Sequence, residues 1–429
     1  MRTYRSTRNT RSRALRTAVA TVAASAALGS VLVTSPAAAT ATAAESEPGN
    51  CKISDDPSWS GWTDHNQLGA TLRQIEKTSK GRVQVEVAGR TTQGRELWAA
   101  RVGTGPRVLM VTSAIHGNER TGTEALIGIL KELGSGSGPK TAELLSKVTL
   151  VAMPMVNPDG GELNRRINVR SWDQTVAQFP QLAGAPRAWY HSLSGDGIDQ
   201  PGYDLNRDFN PDLNYVPQAS DLPGMRTDAG FFLSPESRAI RDTYVKMRNE
   251  KGSVDAFIDL HHMGPCGRIT GGPQDGKLIT VSLDYPPLGV NDGAKYKKQW
   301  PKLDQDKSRR YALTVANGIA DAYGEQSRLA ATGRYLHPDA REYAGQGRSA
   351  FALNGTGTVL FEVRGQQDDL GQRQRGMFVQ SVRTGVESLM TGLATGSADR
   401  VNGDDFFRGR ISTEHDRLIS AGQAWSSSE

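Results

Sequence analysis

Four runs of apolar and β-branched residues set the frame of this chain: RVLMVTSAI (107–115), VTLVAMPMV (148–156), VDAFIDLHH (254–262) and GTVLFEVRG (357–365). None alternates wet and dry positions along its length. Each therefore reads as a strand buried on both faces, which is how the central strands of a helix-covered sheet read. Helical spacing fills the intervals. GTEALIGILKELG (122–134) is amphipathic and stopped by Gly134. PESRAIRDTYVKMRNE (235–250) carries Pro235 in its first turn, with Ser234 in the capping position. Residues 307–324 and 374–394 keep the same period, and 63–81 spaces Leu68, Leu72 and Ile75 along one face. RVQVEVAG (82–89) and ELWAARVG (96–103) read as a hairpin. Alternating strands and helices predict an α/β domain: a mixed, largely parallel sheet flanked by helices on both faces. Residues 171–203 and 210–233 lack periodicity and are rich in Gly, Pro, Asp and Gln, so they are expected to be long surface loops.

Ligand sites in such sheets lie just outside the carboxyl ends of the strands. Three polar clusters fall there: His116 with Glu119, Asn157 with Asp159, and His261 with His262. A histidine and a glutamate three positions apart can converge on one metal if the backbone turns sharply, and Gly117 permits the turn. A distant third ligand would complete a catalytic zinc site, with one position left for water. Alone, HGNE is a weak signal, more readily read as a helix start with a capping glutamate. Glu362, inside the apolar VLFEV, strengthens it. Its alternative role is a buried ion pair with Arg364, but such pairs contribute little net stability, so a lone acid in a central strand leans toward function. YDLNRDFN (203–210) adds Asp204, which could orient a ligand imidazole, and Asn206 with Arg207, whose donors suit a carboxylate.

HGNE, NPDG, RIN, DLNRDF, DLHH and LFEVRG occur in the order seen in the zinc carboxypeptidases, and over roughly residues 65 to 395 the chain resembles that family. The resemblance implies an eight-stranded mixed sheet and one Zn2+ per chain, held by His116, Glu119 and His261. It implies Glu362 as general base, Arg166 as the oxyanion-holding cation, and Asn206 and Arg207 as ligands of the substrate's terminal carboxylate. Tyr343 is the candidate for the tyrosine that closes over the substrate, with Tyr335 behind it. His262 competes with His261, and Arg165 and Arg170 flank Arg166; parity puts Asp259 with His261 on one face and Leu260 with His262 on the other, without saying which face looks into the site. The stretch 169–203, carrying Trp172, Trp189 and Tyr190, is longer than the family pattern and is expected to reshape or cover the cleft.

Residues 1–44 read as a secretory signal peptide: six arginines, an apolar Ala-rich middle, and small-residue cleavage sites after Ala39, Ala41 or Ala44. Gly29 and Pro36 weaken the alternative of a membrane anchor, and no Arg-Arg pair points to a twin-arginine route. The formal charge of the chain is +5, but those six arginines have no acid beside them, so the remainder is near −1. Basicity thus gives no case for nucleic-acid or membrane partners. An arm (45–62), a catalytic domain (63–396) and a polar tail (397–429) are expected to follow. No long pro-segment is evident between leader and domain. In an oxidising exterior Cys51 and Cys266 could pair. The expected protein is a secreted monomer acting on peptides. Competing expectations are a peptidase of cell-wall peptides, a deacylase of the succinylglutamate desuccinylase and aspartoacylase type, and a non-catalytic peptide- or glycan-binding relative that would lack a ligand or the base.

Overall fold

The computed structural model describes residues 61–192, 201–288, 294–335, 342–365, 372–409 and 411–412, all within one unit spanning Asn50–Glu429. The leader, Cys51 and the end of the tail lie outside the described residues, so the Cys51–Cys266 pairing does too. Among the described residues no helix is long and apolar enough to cross a membrane.

Ten strands form the main sheet: β1 (Val83–Arg90), β2 (Glu96–Val102), β3 (Arg107–Ser113), β4 (Val148–Met153), β7 (Ala256–Met263), β8 (Ile269–Thr270), β9 (Val281–Asp284), β10 (Thr332–Arg334), β11 (Gly357–Arg364) and β12 (Ile411–Ser412), while β5 (His191–Ser192) and β6 (Gly202–Tyr203) pair separately. The order β1-β2-β4-β3-β7-β11-β9-β10 gives the eight strands expected, and the two-residue strands β12 and β8 continue the edge. The four apolar runs are the four adjacent central strands, β4-β3-β7-β11, all mutually parallel. The outer pairs β1–β2, β2–β4 and β11–β9 are antiparallel. Strands β9 and β10, which the periodicity did not reveal, are four and three residues long.

Helices cover both faces. Leu68, Leu126, Val315 and Val386 pack in one core with Leu109, Ile258, Leu260 and Phe361 of the sheet. On the opposite face Ile240, Tyr244 and Phe351 pack with Met110, Val151 and Phe257. The helix His65–Thr78 begins in a capping box, Asp64 accepting from the Gln67 amide while the Gln67 side chain accepts from the Asp64 N–H. The helix Pro235–Lys251 starts at Pro235 as expected, but Ser234 makes no side-chain cap. Buried Asp208 takes that role, accepting from the Leu233 and Ser234 amides and from Ser237 Oγ at 2.6–2.8 Å.

The aperiodic stretch differs from expectation. It contains the helix Trp172–Gln178, and Leu182, Ala188, Tyr190, Tyr203, Leu222, Phe231 and Leu233 build a small core of their own. They are scattered at irregular spacing from 182 to 233, so no period announces them. Packing also continues past residue 396: Ala398 and Phe406 join the main core, and Asp399 accepts from Arg107 and Tyr311.

Candidate active site

β3 ends at Ser113, and Ala114 turns the chain with a left-handed φ of 54°. That conformation costs an L-residue on the order of 1 kcal/mol. Gly117 serves a different need from the one anticipated. Its φ is ordinary, but a Cβ there would lie 2.2 Å from the Gly161 nitrogen, so only glycine lets this loop press against the NPDG turn. Asn157 locks that junction. Its Nδ2 donates to the carbonyls of Ile115 and Arg166 at 3.2 and 3.1 Å, and the Gly117 amide donates to the same Arg166 carbonyl at 3.2 Å. Asp159 faces away from the cleft, accepting from Thr91, Gln93 and Arg95 at the β1–β2 turn.

This loop brings His116 and Glu119 to the end of β7. His116 Nδ1 lies 2.8 Å from Glu119 Oε1, His261 Nδ1 lies 3.0 Å from Glu119 Oε2, and the two Nδ1 atoms are 3.1 Å apart. All three side chains are buried. Asp259, fully buried, lies 2.8 Å from His261 Nε2 and accepts from Thr112. With the Nε2–H directed at that carboxylate, the His261 Nδ1 lone pair is free to face the cluster. His116 Nε2 has no hydrogen-bond partner, its nearest carboxylate oxygen being Asp204 Oδ1 at 3.5 Å. Two imidazole nitrogens and a carboxylate, each pair separated by close to the ~3.3 Å edge of a tetrahedron with ligand distances of about 2.0 Å, form a donor set that fits zinc. These three residues are the group among the described residues that could hold a metal ion.

Strand register separates the neighbouring histidines and puts His261, not His262, in the cluster. Glu362 of β11 pairs with His261 of β7, so both point to the same face. Leu260 faces the opposite core, and His262 follows it, accepting from the Thr121 amide at the start of the helix Thr121–Ser135. Burial pushes His262 down to about 4, keeping it a neutral acceptor. Burial would also lower His261, but Asp259 and Glu119 raise it to about 10; burial would raise Glu119, but the two imidazoles hold it well below the usual carboxylate range. Glu362 behaves oppositely. Its Oε2 is buried with no hydrogen-bond partner, it forms no ion pair with Arg364, and burial pushes its carboxyl up to about 7.

Of the three neighbouring arginines only Arg166 joins the cluster. Its Nη2 and Nε lie 3.1 and 3.3 Å from Asp204 Oδ2, and its charge is felt by Glu119 and Glu362. Arg165 donates to the Ile167, Asn168 and Pro201 carbonyls, and Arg170 to Thr175, Gln174 and Gln178. Asp204 thus bridges His116 and Arg166. Asn206 is turned inward. Its Oδ1 accepts from the Gly347 amide and its Nδ2 donates to Asp259 Oδ2 at 3.5 Å, so it supports the carboxylate behind His261. Arg207 stacks on Tyr343, with 4.9 Å from guanidinium carbon to ring centroid. Tyr335 packs instead with Met263, Ile269 and Ile279. Two residues were given no role in the sequence. Asp259 was signalled by its parity with His261. Arg226, which donates to Tyr343 Oη at 2.6 Å, carried no signal.

A convergent His-Glu-His cluster beside a buried carboxylate, at the carboxyl edge of parallel strands, defines a candidate mononuclear metal centre. The chain belongs to the zinc carboxypeptidase (Peptidase M14) family, whose profile matches residues 68–346. It is 28% identical over 172 residues to carboxypeptidase E of Caenorhabditis elegans, covering 38% of this chain but only 32% of that protein. To carboxypeptidase B of Astacus astacus it is 26% identical over 253 residues, covering 56% of this chain and 76% of that one. The fold matches that of bovine thrombin-activatable fibrinolysis inhibitor, solved with tick carboxypeptidase inhibitor, with a TM-score of 0.51 at 13% identity over 78% of this chain and 98% of that one.

Proposed function

We propose that this protein is a secreted, monomeric zinc metallocarboxypeptidase that removes single residues from the C-termini of peptides. The observation that carries the reading is the convergence of His116 Nδ1, Glu119 and His261 Nδ1 beside Glu362, a buried carboxylate one strand away. The chemistry that zinc supplies when bound is Lewis acidity toward the scissile carbonyl and the attacking water. Glu362 takes the proton of that water and returns it to the leaving amine; a proton affinity raised to about 7 suits both directions of transfer. Arg166 stabilises the developing oxyanion, held in position by Asp204. Arg207, under the ring of Tyr343, binds the terminal carboxylate. Asp259 orients His261 from behind and is itself held by Asn206. A non-catalytic relative would lack a ligand or the base, whereas all four side chains are here. The leader supports secretion, and the near-neutral remainder gives no reason to invoke nucleic acid or membrane.

The test is to incubate the zinc-loaded protein with a mixed peptide set and read the products by mass spectrometry. Single residues lost from C-termini are expected, with loss of activity on chelation and recovery with zinc. Glu362→Gln should lower kcat by about 10²–10⁴-fold with zinc content unchanged. Full activity in that variant sinks the mechanism, and internal cuts, or cleavage of purified wall peptides alone, replace the carboxypeptidase reading with a wall peptidase.

A further inference from the structure

Tyr343 is held by two arginines. Its ring centroid lies 4.9 Å from the guanidinium carbon of Arg207 and 5.1 Å from that of Arg226, and Arg226 Nη2 donates to its hydroxyl at 2.6 Å. Arg207 is buried and its charge is offset by Asp204. Arg226 is exposed and forms no ion pair among the described residues. It sits on a built turn rather than a loose one: the Asp228 amide donates to the Met225 carbonyl and the Met225 amide to Asp228 Oδ2, both at 2.9 Å. The stem on either side is anchored by Leu222 and Phe231 in the core of the aperiodic module. The module therefore delivers a cation with no ion pair among the described residues to the phenol that stacks on Arg207, and the positive charge of Arg226 opposes that of Arg207.

We propose that Arg226 is a specificity-determining residue that selects peptides whose C-terminal residue carries a second carboxylate. The proposal rests on the assignment of Arg207 to the main-chain carboxylate. The two guanidinium carbons lie within 10 Å of each other. A glutamate spans that gap: its two carboxyl carbons are about 4–5 Å apart, and each sits about 4 Å from a paired guanidinium carbon. A dianionic residue meets both like charges at once, whereas an uncharged side chain leaves Arg226 without a counter-ion. Arg226 also positions Tyr343, but positioning alone would act on every substrate alike.

Binding without turnover separates these roles. The full-length Glu362→Gln protein, zinc-loaded, is titrated calorimetrically with three peptides identical except for a last residue of Glu, Gln or Leu. The Glu peptide is expected to bind about tenfold tighter than the Gln peptide. Arg226→Ala and Arg226→Gln should abolish that ratio while leaving the Leu peptide within about threefold, and Arg226→Lys should keep most of it. A ratio near one in the parent, a ratio that survives Arg226→Ala, or equal weakening of all three peptides overturns the proposal. Arg207→Ala, run in parallel, should weaken all three. If it does so while Arg226→Ala leaves the ratio intact, only the role of Arg226 falls. If Arg207→Ala changes nothing, the carboxylate site falls and this inference with it.

Discussion

The metal cluster and the aromatic module behind the substrate end of the cleft are built by opposite means. His261, Asp259 and Glu362 stand on β7 and β11, and His116 and Glu119 on the loop leaving β3, all three adjacent in the sheet. Parallel register and two buried cores fix those positions before any side chain makes a polar contact. Among the described residues the module of 171–233 has one short α-helix, three single 3-10 turns and two two-residue strands, and it holds its shape through aromatic packing and the ties of Asp208 and Arg170. Rigid strands set the geometry that metal chemistry needs, while the irregular module supplies contacts that can vary without disturbing it.

The largest effect should come from the strand-borne side. His261→Ala removes a proposed zinc ligand, so activity should fall by on the order of 10³-fold or more, with bound zinc lost on elemental analysis. His262→Ala, one residue along but on the other face, should keep its zinc. Equal zinc loss in both would mean that strand parity does not decide the ligand. Next is Asp259→Ala, which leaves His261 Nε2 without its carboxylate and should weaken zinc binding by about 10–100-fold in a competitive chelator titration. An unchanged affinity would reduce Asp259 to a core residue.

How legible each side was follows from the same contrast. The central strands showed in the sequence because burial on both faces forces uninterrupted apolar runs, and the residues of the His116–Glu119–His261 cluster showed because they interrupt those runs at their ends. Parity put Asp259 beside His261, but which face looked into the site needed the register with Glu362. Arg165, Arg166 and Arg170 lie in a stretch without period, so their separation into carbonyl-binding and cleft-facing roles waited for three-dimensional contacts. Asn206 read as a free donor because the acceptor of its Nδ2, Asp259, is far along the chain. β9 and β10 are too short to show any period. Arg226 was invisible because its meaning depends on a phenol that meets it only in the fold.

A pH profile tests the buried base with a smaller effect. The raised affinity of Glu362, to about 7, means that it is mostly protonated below that pH and cannot accept a proton from water. The kcat/KM should therefore rise with pH, by up to about tenfold per unit below 7, and level off above it. Zinc content measured across the same range separates base titration from metal loss. A flat profile between pH 5 and 8 with zinc retained would remove Glu362 from the rate-limiting proton transfer.

The smallest effect at the metal should come from the module. Leu182 is fully buried among Tyr190, Tyr203 and Phe231, so Leu182→Ala should cost about 2–5 kcal/mol of stability, read as a lowered denaturation midpoint. The ligands do not share that core: His261 and Glu119 are fixed from β7 and from the turn after β3. Zinc affinity should then stay within about twofold, because perturbations without shared partners add independently. One polar route between the two regions is the Asp204 amide, which donates to the Tyr190 carbonyl at 3.1 Å. If zinc affinity drops in step with stability, the coupling runs along that route. The contrast between a rigid centre and an independent module would then give way to a single cooperative site.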